Sequence, residues 1–85
     1  MAKVVIYTPS DFACPFCMRA KDLFKRRGIA FKEIQISSDD DAAWNVLIKK
    51  SGMKTVPQVF VDDRLIGGYT ELAEQDGKDL LASFK

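Results

Sequence analysis

Four apolar residues in a row, Val4-Val5-Ile6-Tyr7, open the chain's ordered pattern and give way to Thr8-Pro9. An unbroken run of β-branched and aromatic residues reads as a strand covered on both faces. From Pro15 the period changes to that of a helix. Cys17, Ala20, Leu23 and Phe24 recur on one face, Arg19, Lys21, Asp22, Lys25 and Arg26 cover the other, and Gly28 supplies the left-handed stop. Ile29 to Ile36 reads as a second strand. Its imperfect alternation, Ile34 and Ile36 against Glu33 and Gln35, suits a sheet edge. Strand, helix and strand in this order predict a right-handed parallel crossover.

Ser38 is expected to cap a second helix whose first turn holds Asp39, Asp40 and Asp41, favourable at the positive end of the dipole. Ala43, Trp44, Leu47 and Ile48 share its inner face, and Gly52 ends it. Thr55-Val56-Pro57 leads into a third strand, Gln58-Val59-Phe60-Val61. An Asp62-Asp63 turn then returns the chain as Arg64 to Gly67, forming a hairpin. Gly67-Gly68 breaks the pattern, Thr70 is expected to cap a third helix reaching about Gln75, and Leu80, Leu81 and Phe84 close a last turn.

Length and composition narrow the class. With 85 residues, 47% apolar and 29% charged, the sequence is expected to form one domain over residues 1–85 with one modest core. Thirteen basic and twelve acidic residues leave a net charge of +1, too little to gather nucleic acid or an anionic membrane. The Lys25-Arg26-Arg27 cluster falls at a helix end, where cations complement the dipole. No apolar run reaches transmembrane length and no signal-peptide pattern is present, so a cytoplasmic location is expected. A lone C-x-x-C in that compartment is catalytic or metal-binding rather than structural.

The chemistry therefore centres on Cys14-Pro15-Phe16-Cys17, which contains both cysteines of the chain. Pro15 suits the first helical position, where its missing N–H leaves nothing unpaired, and that places Cys14 at the N-cap. There its sulfur faces the free N–H groups of Phe16 and Cys17 and the positive end of the dipole, all of which favour the thiolate. Cys14 is then the nucleophile. Cys17, three positions on and turned inward, is the resolving thiol that displaces a mixed disulfide from Cys14. Without any histidine in the chain, a Cys/His hydrolase is excluded. Zinc would need two further ligands from a second chain, so no metal is expected.

Two further stretches bear on the partner. Val56-Pro57 reads either as a cis bond that turns the Val56 backbone outward to pair with an extended thiol peptide, or as an ordinary strand-leading proline. Gly67-Gly68-Tyr69-Thr70-Glu71 reads either as a carboxylate-holding helix start with Glu71 facing an ammonium, or as a plain turn before a helix.

Taken together, CPFC, TVPQVF and GGYTEL in this order and spacing resemble the glutaredoxin family from Val4 to the third helix. The resemblance implies a thioredoxin-like α/β fold, a four-stranded mixed sheet with three main helices on both faces in the order βαβ-α-ββ-α. It also implies a monomeric enzyme that takes glutathione as co-substrate, reduces protein disulfides and removes glutathione from glutathionylated proteins. Cys14 matches the family's nucleophile and Cys17 its second thiol. Thr55, Val56 and Pro57 match the cis-proline loop that pairs with the cysteinyl part of glutathione, and Gly68, Thr70 and Glu71 match the segment that holds its γ-glutamyl end. Phe16 stands where the family's commonest motif has tyrosine, and Glu71 where aspartate is usual. The Pro9 to Ala13 loop lacks the family's basic residue, and its Asp11 is placed to oppose a glutathione carboxylate; Lys54 or Arg19 is expected to supply the missing charge. Other branches of the family suggest two alternatives: a glutathione-ligated iron-sulfur cluster carrier, against which Pro15 speaks because cluster-binding relatives carry a smaller residue there, and a redoxin served by thioredoxin reductase.

Overall fold

Why the first apolar run lacks alternation is visible in the sheet. In the computed structural model, which describes residues 2–78 and 81–84, strand β1 (Val4–Pro9) lies between β2 (Lys32–Ile36) and β3 (Gln58–Val61), and β4 (Arg64–Gly67) forms the far edge. β1 pairs parallel with β2 and antiparallel with β3, and β3 pairs antiparallel with β4. Helices α1 (Pro15–Arg26) and α3 (Tyr69–Gly77) cover one face and α2 (Asp41–Ser51) the other. Val4 and Ile6 of β1 with Val59 and Val61 of β3 pack against Ala20, Leu23, Phe24 and Leu72. Tyr7 and Phe60, pointing the opposite way, pack with Ile36, Leu47 and Trp44. Central strands clad on both sides need apolar residues at every position, so the period of two disappears. This is the thioredoxin-like arrangement, a mixed four-stranded sheet with helices on both faces.

β2 is an edge strand, as its alternation implies, but it begins at Lys32 and not at Ile29. The preceding residues close α1 instead. Gly28, at φ 69°, gives its N–H to the Lys25 carbonyl at 3.2 Å, and Ile29 gives its N–H to the Phe24 carbonyl at 2.9 Å. This pair of bonds is a Schellman cap, completed by Ile29 and Phe24 entering the same core cluster. Two N-caps also differ from expectation. α2 is capped by Asp40, whose Oδ1 accepts the Ala43 N–H at 3.2 Å, because Ser37 to Asp40 first form a turn closed by Asp40 N–H to Ser37 O at 3.1 Å. Ser38 and Asp39 lie in that turn and only Asp41 falls in the helix's first turn. Helical geometry in α3 starts at Tyr69, with Gly68 at the N-cap and no side chain bonded there, so Thr70 lies inside the helix and is not its cap. The hairpin turns at Asp62 and Asp63, φ 51° and 66°, a left-handed pair that matches the strand twist. A 3-10 turn at Leu81–Phe84 brings Leu81 and Phe84 into the core; Leu80 lies outside the described residues.

Candidate functional site

β1 delivers the chain to the carboxyl end of the sheet, and residues 10–13 carry it to the start of α1. Cys14 occupies the N-cap and Pro15 the first helical position, as the motif requires. The Cys14 sulfur accepts the Cys17 N–H at 3.2 Å. Cys14 and Cys17 are joined as a disulfide with Cα atoms 5.2 Å apart. The two are not equivalent: Cys14 is half-buried, whereas Cys17 is 2% exposed. Once the pair is reduced, an outer sulfur stands against the Cys17 amide at a helix start while an inner sulfur sits behind it. Such an arrangement favours attack by the outer thiolate and closure by the inner thiol.

The Val56–Pro57 bond is cis. Its loop is held from behind by Gln58, a fully buried residue whose Nε2 donates to the carbonyls of Met53 at 3.1 Å and Thr55 at 2.8 Å. Among the described residues the Val56 backbone makes no hydrogen bond. Opposite this loop stands the start of α3. A side chain at Gly68 would bring its Cβ within 3.3 Å of the Pro57 carbonyl, so glycine lets the two segments close on each other. Gly67, at φ 124°, is overlain by the Glu71 side chain, which a Cβ there would meet at 2.8 Å.

Between these segments runs an open groove of about 260 Å³. It gathers Thr55, Val56, Pro57, Gly68, Thr70 and Glu71, six of the seven residues picked out for a ligand, although they come from two separate stretches of chain. Lys54 is exposed and does not line it. Phe16, Met53 and Tyr69 do, and sequence reasoning assigned none of them a binding role. Phe16 forms the wall on the cysteine side, its ring 6.1 Å from that of Tyr69 and 5.4 Å from the Arg19 guanidinium. Arg19 thus stands at the groove's edge, over an exposed aromatic face.

Asp11 is turned away from this groove. Its carboxylate accepts the Ser38 hydroxyl at 2.6 Å and the Ser38 N–H at 2.9 Å, and these bonds hold its carboxyl below the ordinary aspartate range. It tethers the loop before Cys14 to the turn before α2 and does not line the groove.

A second cleft, of about 210 Å³, lies on the other side of the disulfide. Cys14 and Cys17 line it together with Phe12, Met18, Lys21 and Glu33. Lys21 is half-buried, contrary to its assignment to the solvent face of α1. It bends toward β2, where Glu33 Oε2 accepts from the Thr8 hydroxyl at 2.7 Å and from Lys21 Nζ at 2.9 Å. The Thr8 bond first, and then the Lys21 bond, hold the Glu33 carboxyl below the ordinary glutamate range.

Comparison with known proteins agrees with this geometry. Residues 4–66 match the glutaredoxin family model. The chain is 43% identical over 76 residues to a probable glutaredoxin of Synechocystis sp., spanning 89% of this chain and 84% of that one. It is 42% identical over 78 residues to glutaredoxin 3 of Escherichia coli, spanning 92% and 90%. A buckwheat glutaredoxin in complex with glutathione superposes with a TM-score of 0.84 at 29% identity, over 98% of this chain and 76% of that one. Glutaredoxin 1 of Francisella tularensis, complexed with cacodylate, gives 0.77 at 37% identity, over 94% and 98%. With a capping cysteine, a buried partner thiol and a match over most of its length, the chain belongs to the glutaredoxins, a family of thiol oxidoreductases.

Proposed function

We propose that this glutaredoxin takes its electrons from glutathione and uses them to reduce protein disulfides and to strip glutathione from glutathionylated proteins. The observation that carries the reading is the groove between the cis-proline loop and the start of α3, which is walled by Phe16 of the C-x-x-C motif. In this reading the outward Val56 backbone pairs with the cysteinyl part of glutathione as a short β-bridge, with Thr55 and Pro57 framing it. The amide groups at Gly68 and Thr70, at the start of α3, meet the γ-glutamyl carboxylate. Glu71 meets its ammonium, and Lys54, beside the loop, approaches the other end of the tripeptide. The buckwheat glutaredoxin, which superposes over nearly the whole chain, was captured with glutathione, and this supports the assignment.

The reaction runs as two exchanges. The Cys14 thiolate attacks the glutathione sulfur of a mixed disulfide, forming the Cys14–glutathione bond and releasing the protein thiolate, which takes a proton from water. A second glutathione thiolate then attacks the bound glutathione sulfur, yielding oxidised glutathione and restoring Cys14. With a protein disulfide, Cys14 attacks one sulfur and releases the other as a thiolate; Cys17 then attacks Cys14, freeing the second protein sulfur and giving the disulfide seen here, which two glutathione thiols reduce in turn. The protein acts in the cytoplasm as a monomer in this reading.

The test is an assay of both substrates with two electron sources, glutathione with its reductase or thioredoxin reductase alone. Cys14→Ser should abolish both activities, and Cys17→Ser should retain removal of glutathione from mixed disulfides while losing reduction of protein disulfides. Turnover with thioredoxin reductase alone, or equal loss of both activities in Cys17→Ser, would overturn the assignment.

A further inference from the structure

Reduction leaves Cys17 in an awkward place, because a thiol with 2% exposure must lose its proton before it can close on Cys14. Burial opposes the anion, and Cys17's own amide is directed at the other sulfur. The charges that share its cleft therefore matter. Four residues beyond Cys17 on α1, Lys21 lies on nearly the same helix face and lines the cleft. Across from it Glu33 of β2 holds the Lys21 ammonium at 2.9 Å and is itself fixed by Thr8 of β1 at 2.7 Å. The side chains of Lys21 and Glu33 are 26% and 27% exposed, so both charges act in a partly dry cleft where screening is weak.

Among the described residues no other charged side chain lines that cleft, whose remaining walls are polar or apolar residues of β1, β2, α1 and the loop. From the solvent side of α1, Lys25 acts on Glu33. On the loop, Asp11 is taken up by Ser37 and Ser38. The ion pair is thus the cleft's own charge setting.

We propose that Lys21 and Glu33 are a positioning pair that sets how readily Cys17 ionises: the ammonium favours the thiolate, the carboxylate opposes it, and each limits the other. In the resolving step Cys17 gives its proton to water and its sulfur attacks Cys14 of the Cys14–protein mixed disulfide. The Cys17–Cys14 bond forms, the bond from Cys14 to the substrate protein's sulfur breaks, and the electron pair leaves on that protein sulfur. Lys21, tethered by Glu33, faces the thiolate that appears before the attack. The identity of the leaving thiol rests on the proposed function; the effect on Cys17 does not.

The test uses the Cys14→Ser protein, in which Cys17 is the sole thiol, and follows the rate of its alkylation by iodoacetamide against pH. Lys21→Met should raise the apparent pKa of Cys17 and Glu33→Gln should lower it, each by about half a unit or more, the direction and lower bound expected for adding or removing one nearby charge. The double variant should return toward the parent, and Lys21→Arg should leave the profile in place. Glu33→Gln keeps side-chain length and Lys21→Met keeps an unbranched stem one atom shorter, and far-ultraviolet circular dichroism confirms that each is folded before it is scored. Shifts in the same direction, or no shift in either folded variant, would overturn the proposal, because loss of packing alone carries no sign. Glutathione is absent throughout, so a protein that fails the electron-source assay but shows opposed shifts would overturn the glutathione reading and leave the pair intact.

Discussion

Replacing Gly67 by alanine should damage the protein twice, in ways that separate. The residue sits at φ 124°, a backbone conformation open to glycine and costly for any other residue, about 1–3 kcal/mol. The new Cβ would also lie 2.8 Å from Glu71 Cγ and Oε1 and 2.9 Å from its Cβ, so the Glu71 side chain must swing off the groove floor. On the proposed reading this withdraws the carboxylate from the glutathione ammonium. A contact between charged groups at an open rim is worth about 1 kcal/mol at most. The glutathione KM should then rise up to about fivefold. Urea unfolding reads the first effect and steady-state kinetics the second. Gly77→Ala is the control: its Cβ meets nothing within 4 Å among the described residues and its backbone is helical, so it should be neutral or stabilising. Combining Gly67→Ala with Glu71→Ala isolates the cause, since the two KM effects should not add if both act by removing the same carboxylate. An unchanged urea midpoint in Gly67→Ala would refute the backbone argument. Fully additive KM effects would refute the displacement of Glu71.

Two further outcomes follow from caps and charges. Asp40→Ala should cost about 1 kcal/mol in urea unfolding by removing the α2 cap; a comparable loss in Ser38→Ala and none in Asp40→Ala would restore the helix start to Ser38. Glu33 has a folded-state pKa below its ordinary value of 4.5, so its contribution is present above about pH 4.5 and disappears as pH falls through the lower folded value. Glu33→Gln should therefore be less stable than the parent near neutrality and lose less stability on acidification, as thermal unfolding between about pH 6 and pH 3 would read.

Local rules carried much of the site. The proline after Cys14 fixes where a helix can begin, and so which sulfur becomes the cap; nothing distant is needed to read that. Gly28 likewise announces the end of α1. What local rules missed depends on where a side chain turns after the elements pack. Lys21 has a charged residue's usual place in an amphipathic pattern, yet its long stem reaches back across the helix to Glu33, a partner twelve residues away on another element. Ser38 is as good a cap as Asp40 by residue type, and the choice falls to Asp40 because Asp11, from a different loop, occupies the Ser38 hydroxyl and amide. Phe16 and Tyr69 become a groove wall only when α1 and α3 pack on the same face of the sheet, a pairing that no periodicity within either helix encodes.

The position of Gln58 has a consequence for how such a protein can change its clientele. The shape of the cis-proline loop is held by a side chain rooted in the sheet and closed to solvent, while the side chains of Lys54 and Thr55 on that same loop project outward. On the proposed reading, scaffold and recognition surface therefore fall to different residues. Exchanges at Lys54 and Thr55 can alter what docks there while Gln58 keeps the loop's course, so variation and retargeting can proceed on the rim without reopening the problem of folding the chain.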